Sequence, residues 1–185
     1  MTSTIGLERG AVRLLDHQKE WETEAERTID RLRSILGDVI KGIEHVGSTS
    51  VYLIKAKPII DIAVAVDDFD AILQYEAQLR AGGFYYRPDN NTPTQMLFAC
   101  GSYYDGSGSL QTHFIHVVIK DSREWQDYLN FRDYLNSHHD AAREYESLKM
   151  GLSVSNNRAE YTPGKADFIN EILCLARVKK TKESL

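Results

Sequence analysis

Cysteine, proline and long apolar runs are all scarce in this chain of 185 residues. Two cysteines cannot form the disulfide framework of a domain this size, so its core must be held by packing. Cys100 and Cys174 sit in the apolar runs "MLFAC" and "ILCLA" and are expected to be reduced core residues. The most apolar stretch, "PIIDIAVAV", is far shorter than the roughly 20 residues of a bilayer-spanning helix and is interrupted by Asp61. The opening "MTSTIGLERGAVRLLDHQ" contains no long apolar segment, so a cytoplasmic location without a membrane partner is expected. An excess of positive charge is missing as well. The net charge of −5 argues against a broad grip on duplex nucleic acid, so an anionic partner would need a local basic pocket. The phosphate-loop pattern G-x-x-x-x-G-K-S/T occurs nowhere.

The residues that are present describe an ordinary globular chain, with 42% hydrophobic and 26% charged residues. They fit one domain over 1–185, with an α/β core at about 16–120 and C-terminal helices at about 121–180. Trp21, Ala25, Ile29, Leu32 and Leu36 recur at helical spacing between Asp16, a candidate cap, and Gly37, a candidate stop. A strand at 39–46, the turn "GSTS" and a clear β-branched strand at 59–66 follow. The spacing then predicts a helix from Asp67–Asp68 to Gly82–Gly83, and strands in "FYYR", "QMLFAC" and "THFIHVVIK". The segment "GSYYDGSGSLQ" reads as a loop. Everything from Ser122 reads as helix, ending in a frayed basic tail, "KKTKESL". The order points to an α+β fold: a mixed sheet flanked by helices, with a C-terminal helical subdomain.

The chemistry-bearing stretch is "HVGSTSVYLIKAKPIIDIAVAV". In a turn of this kind Gly47 permits tight geometry, and Ser48, Thr49 and Ser50 supply donors for a phosphate. Lys57 can add charge. Such a turn is more often an unliganded Ser/Thr turn or a helix cap. Strand alternation sets Ile60, Ile62, Val64 and Val66 on a core face and Ile59, Asp61, Ala63 and Ala65 on the other, a small face that carries a carboxylate and leaves room for a ligand. His113 and His116, three apart on one strand, face opposite sides and make a poor chelate; His116 can share the cleft of Asp61. His45 can cap the sheet beside the turn, and a buried, hydrogen-bonded imidazole is the plainer role for both.

"HVGSTS" followed by "AKPIIDIAVAV" resembles the signature of the GrpB family, a group within the nucleotidyltransferase superfold. "EWQDYLNFRDYL", "AAREYESLK" and "YTPGKADFINEIL" are similar to that family's C-terminal motifs, so the resemblance runs from Trp21 to Ala176. It implies a nucleotidyltransferase-like sheet and a ligand that is a nucleotide or other phosphorylated small molecule, with nucleotidyl transfer as the activity. In the superfold a G-S turn holds the triphosphate, and acids on the next strands bind magnesium while a hydroxyl attacks the α-phosphorus. Gly47 and Ser48 match the turn, and Asp61, 13 positions after Ser48 (61 − 48), matches the first metal-binding acid. Ala63 stands where the second acid belongs, His116 stands where a third is expected, and Tyr52-Leu53-Ile54 replaces the usual P-G-L. Magnesium is thus an implied cofactor with an incomplete ligand set. Asp61 and His116 are the candidate catalytic pair, and Arg132, Lys149 and Lys165 match basic family positions that can converge on phosphates. Tyr145 and Tyr161 read as packing. GrpB-like domains can be fused to dephospho-CoA kinase, which suits the alternative of a non-catalytic nucleotide- or coenzyme-A-related binding module.

Overall fold

The computed structural model describes residues 5–154 and 158–183. In chain order the strands are β1 (Leu7–Glu8), β2 (Gly42–Val46), β3 (Ile60–Val66), β4 (Tyr85–Tyr86), β5 (Gln95–Cys100), β6 (Leu110–Gln111) and β7 (His113–Ile119). The α-helices are α1 (Lys19–Leu36), α2 (Phe69–Leu73), α3 (Glu76–Ala81), α4 (Ser102–Asp105), α5 (Arg123–Ser137), α6 (His139–Ser153), α7 (Arg158–Tyr161) and α8 (Ala166–Glu183).

Helix α1 buries Trp21, Ala25, Leu32 and Leu36 of the stripe its spacing predicts, with Thr28 buried as well and Ile29 only partly so. Gly37 closes it with a φ of 52°, donating its N–H to the carbonyl of Arg33. Asp16 does not cap it: the helix begins at Lys19 and Asp16 pairs with Lys55 instead. The stripe lies on a five-stranded sheet of order β2-β3-β7-β5-β4, in which β3 and β7 are parallel and the other neighbours antiparallel. Ile60, Ile62, Val64 and Val66 pack against α1 together with Ile72, Leu79, Phe84, Phe98, Ile115 and Val117. Each large apolar side chain so buried contributes about 1.5–3 kcal/mol, which is why this face is the main core.

The opposite face carries Ala63 and Ala65 of β3, Val46 and Val118, all buried beneath Trp125 of α5. Ser122 caps that helix, accepting the N–H of Trp125 at 3.2 Å. Gly42 is required below it, since a Cβ there would meet the Trp125 ring at 2.7 Å. Helices α5, α6 and α8 enclose a second core in which Val51 and Ile54, from the chain just after "GSTS", pack on Leu135, Tyr145 and Ile172. The C-terminal helices are therefore docked on the sheet through the turn itself.

Some local features differ from the sequence reading. The helix expected over 67–83 is two short helices broken at Gln74–Tyr75. The segment read as the loop "GSYYDGSGSLQ" holds α4 and β6, and β6 pairs antiparallel with β1. Helix α8 continues through Lys179 to Glu183, where the sequence suggests fraying; Ser184 and Leu185 of that expected tail lie outside the described residues. Cys100 is partly buried on the α1 side, and its thiol is pushed up to about 12 by burial. Cys174 is exposed on α8, a correction to its reading as a core residue, because "ILCLA" is the edge of a helical stripe and not a continuous core segment. No helix among the described residues is long and apolar enough to cross a membrane.

Candidate functional site

Strand β2 ends at Val46, which pairs with Asp61 of β3. Gly47 then turns the chain with a φ of 72°, and Ser48–Ser50 form one turn of 3-10 helix. A Cβ on Gly47 would stand 2.6 Å from Asp61 Oδ2, so only glycine lets the turn press its backbone against the carboxylate. The other carboxylate oxygen, Oδ1, accepts a 2.9 Å hydrogen bond from His116 Nε2 across the parallel β3–β7 pair. His116 Nδ1 is buried and has no hydrogen-bond partner. His113 faces the other way, into α1, with Nε2 3.2 Å from Thr28 Oγ1 and 3.3 Å from Glu24 Oε1.

This carboxylate lies in the wall of a cavity of about 320 Å³ between the turn and α5, α6 and α8. Gly47, Ser48, Asp61 and Lys165 line it with the aromatic rings of Tyr128, Phe131 and Tyr145. Tyr145 contributes more than packing, since its hydroxyl accepts from Ser48 Oγ at 3.4 Å. Tyr128 lies 5.1 Å from the His116 ring and donates to Gln95 Oε1 at 2.5 Å, and burial holds its hydroxyl well above the usual phenol range. Glu124 and Asp127 bring further negative charge to the wall, Asp127 bound by Arg177 at 2.5 and 2.7 Å. Neither of these acids nor Tyr128 stands out in the sequence reading. Their spacing with Phe131 (124, 127, 128, 131) nevertheless marks one helix face, and that is the signal by which "EWQDYLNF" can be recognised as a cleft wall.

The other sequence-selected residues divide. Thr49 and Ser50 are buried and their hydroxyls are spent internally, Thr49 Oγ1 on His45 Nε2 at 2.9 Å and Ser50 Oγ on the Gly47 carbonyl at 2.7 Å. They shape the turn and leave Ser48 as its hydroxyl in the cavity. Burial pushes the His45 imidazole down to about 4, so it is neutral at physiological pH. Lys57 and Lys165 hold their Nζ atoms 4.5 and 4.6 Å from the Tyr161 ring, from two directions in sequence. Lys149 is fully buried, donates to the Lys55 carbonyl and lies 4.6 Å over Tyr145. Burial and the neighbouring Lys165 lower its ammonium to about 7. Arg132 is an anchor: its Nη1 reaches Glu44 at 2.8 Å and the His45 carbonyl at 3.0 Å, and its Nε reaches Asp133. Among the described basic residues, only Lys165 lines the cavity.

The implied magnesium finds a poor fit. Ala63 is completely buried under α5, flanked across the strands by Glu44 and His116, so its position offers no open coordination site. Among the described residues no group of three or more His, Cys, Asp or Glu side chains is arranged to hold a metal ion. Glu44 is committed to Arg132, and Asp61 to His116.

Comparison with known proteins bears on the same geometry. The model of the family described as GrpB protein matches residues 11–174. The chain is 33% identical to the glutamate-rich protein GrpB of Alkalihalophilus pseudofirmus, over 91% of this chain and 98% of that one. It is also 33% identical to a dephospho-CoA kinase of Mycolicibacterium paratuberculosis, but over only 44% of this chain and 21% of that protein. Among solved structures it is similar to the conserved protein GrpB from Enterococcus faecalis, with a TM-score of 0.81 and 26% identity, over 91% of this chain and 99% of that one. The Cid1 poly(U) polymerase in a MgGTP-bound crystal shares the fold, with a TM-score of 0.50 and 16% identity, over 72% of this chain and 42% of that one.

Proposed function

This chain belongs to the GrpB family and has a nucleotidyltransferase-like fold, and we propose that it binds a nucleotide or other phosphorylated small molecule in the cleft between the Gly47–Ser48 turn and α5, α6 and α8. The observation that carries this reading is the contact of Gly47 with Asp61: the turn and the carboxylate form one unit at a cavity wall, and no side chain can come between them. Ser48 and Lys165 are the phosphate contacts, and the rings of Tyr128, Phe131 and Tyr145 provide an apolar wall for a base. Asp61, held by His116, is the carboxylate of the cleft wall that can accept a hydrogen bond from a ligand hydroxyl. The binding proposed does not draw on a two-metal site, because among the described residues the carboxylates for one are not assembled.

A second reading, a non-catalytic binding module, is favoured by the burial of Ala63 and the engagement of Asp61 by His116. Both readings require ligand binding, and a thermal-shift screen of nucleoside triphosphates and coenzyme A precursors, with and without Mg²⁺, tests it. A ligand at about 100 times its Kd contributes about 2.7 kcal/mol, raising Tm by about 5–10 °C in a domain of this size. A flat response to every ligand at millimolar concentration rejects both readings; binding without turnover selects the module.

A further inference from the structure

A second cavity, of about 450 Å³, opens on the other side of His116, over β5 and β7. Its chemistry is the reverse of the first. Arg9 and Arg87 line it and no carboxylate does, whereas the walls of the first cavity hold Asp61, Glu124 and Asp127 against Lys165. Among the described residues neither arginine makes an ion pair. Asp89 and Asp105 lie on adjoining segments but face solvent, and Asp105 is engaged by Ser107.

Both guanidinium groups are held over aromatic rings, Arg9 at 4.7 Å from the Tyr103 centroid and Arg87 at 5.2 Å from that of Tyr104. The supports are rigid. The Arg9 N–H donates to the Ser109 carbonyl at the end of the β1–β6 pair, and the Arg87 N–H donates to Leu97 of β5. The two tyrosines sit on α4, which Gly101 joins to β6 so closely that a Cβ there would lie 2.3 Å from the Leu110 oxygen. The buried Gln111 amide donates to the Tyr104 hydroxyl. Two guanidinium forks, held in place by stacking and unneutralised by carboxylates, are suited to the planar, bidentate recognition of phosphate oxygens.

We infer that this cavity is a second anion site, which binds phosphate groups through Arg9 and Arg87 without a metal. A metal-free polyphosphate meets two arginines and no lining carboxylate here, whereas in the first cavity Lys165 shares the wall with Asp61, Glu124 and an Asp127 already paired with Arg177. The phosphate belongs either to a free inorganic anion or to a nucleotide whose other end reaches Asp61 past His116. The site does not depend on the first cavity being a nucleotide site, and the test separates the two.

Titration calorimetry with sodium pyrophosphate, in EDTA and at low salt, is the direct measurement. The wild-type protein is expected to bind, and affinity should fall with ionic strength. Arg9→Gln combined with Arg87→Gln should weaken binding at least tenfold, and Arg87→Lys by an intermediate amount. Both arginines reach the surface, so an unchanged Tm is expected to show that the double variant is folded. If ATP binds at least tenfold tighter than pyrophosphate and Asp61→Asn removes only that excess, the phosphate belongs to a nucleotide spanning both cavities. If ATP and pyrophosphate bind alike, it is a free anion. Either result supports the site. No pyrophosphate binding at millimolar concentration, or equal binding by the wild type and a folded double variant, overturns it.

Discussion

The two cavities share the His116–Asp61 pair as a partition, yet they were built by different means. The first is assembled around residues close in sequence, from Gly47 and Ser48 to Asp61, and closed by helices that dock on the turn through Val51 and Ile54. The second is assembled from the distant Arg9 and Arg87, each held by a tyrosine of α4. The first is rich in carboxylates and aromatic rings, and the second is basic. Proximity in sequence is what makes a motif visible, and Arg9 and Arg87, far apart in the chain, offer none.

The sharpest way to break the comparison is to force the first cavity toward a two-metal site. Ala63→Asp places a carboxylate in a fully buried position beneath Trp125. It should cost about 3–5 kcal/mol, read as a lower midpoint in urea denaturation, and should not create Mg²⁺-dependent nucleotide binding. Retained stability together with magnesium-dependent binding would show that the second-acid position is open after all.

Next comes the joint between turn and carboxylate. Gly47→Ala must adopt a φ of 72° and displace Asp61, whose Oδ2 stands 2.6 Å from the new Cβ. A loss of about 2–4 kcal/mol is expected from backbone strain and overpacking together. Binding in the first cavity should disappear, while pyrophosphate binding at the arginines should survive. Equal loss at both would mean that the cavities are one cooperative unit.

A third test uses pH. Lys149 is lowered in the folded protein to about 7 from an ordinary value of 10.5. The unfolded chain therefore holds a proton that the folded chain has released between these values. Stability should rise with pH through that window, by about 2 kcal/mol between pH 7 and 9 from this group. His45, lowered to about 4 from 6.5, should cost stability as pH falls between those two values. Lys149→Met should flatten the alkaline rise in denaturation curves; an unchanged slope would show that the buried amine is not its source.

The smallest effect concerns the loop after the turn. Leu53 is 79% exposed and holds a φ of 64°, a conformation natural to the glycine of the P-G-L pattern. Leu53→Gly relieves about 1–2 kcal/mol of left-handed strain, partly offset by about 0.5–1 kcal/mol of unfolded-state entropy. A net gain of about 0.5–1 kcal/mol should appear as a small rise in Tm without change at either cavity.

The sequence was legible where period and packing agreed. Strand β3 alternates apolar and small residues because its two faces meet different helices, and α1 shows its stripe because the main core lies under it. Strand alternation set His113 and His116 on opposite faces, but the parallel β3–β7 register that brings His116 to Asp61 could not be read from it. What could not be read was how hydroxyls and cations are spent. Thr49 and Ser50 look like phosphate donors until their partners are known, and Arg132 and Lys149 look like phosphate cations until Glu44 and the Lys55 carbonyl claim them. The short α4 and β6 were hidden by glycines and serines that mark turns in sequence but here allow close approach.

The most direct test of the central claim is calorimetric titration of the wild-type protein and of Ser48→Ala/Asp61→Asn with ATP, in the presence and absence of Mg²⁺. If the first cavity is the nucleotide site, the wild type binds in both buffers and the double variant loses at least tenfold in affinity while keeping its pyrophosphate binding. Identical ATP affinity for the two proteins, with both folded, would contradict the assignment of the Gly47–Ser48 and Asp61 cleft.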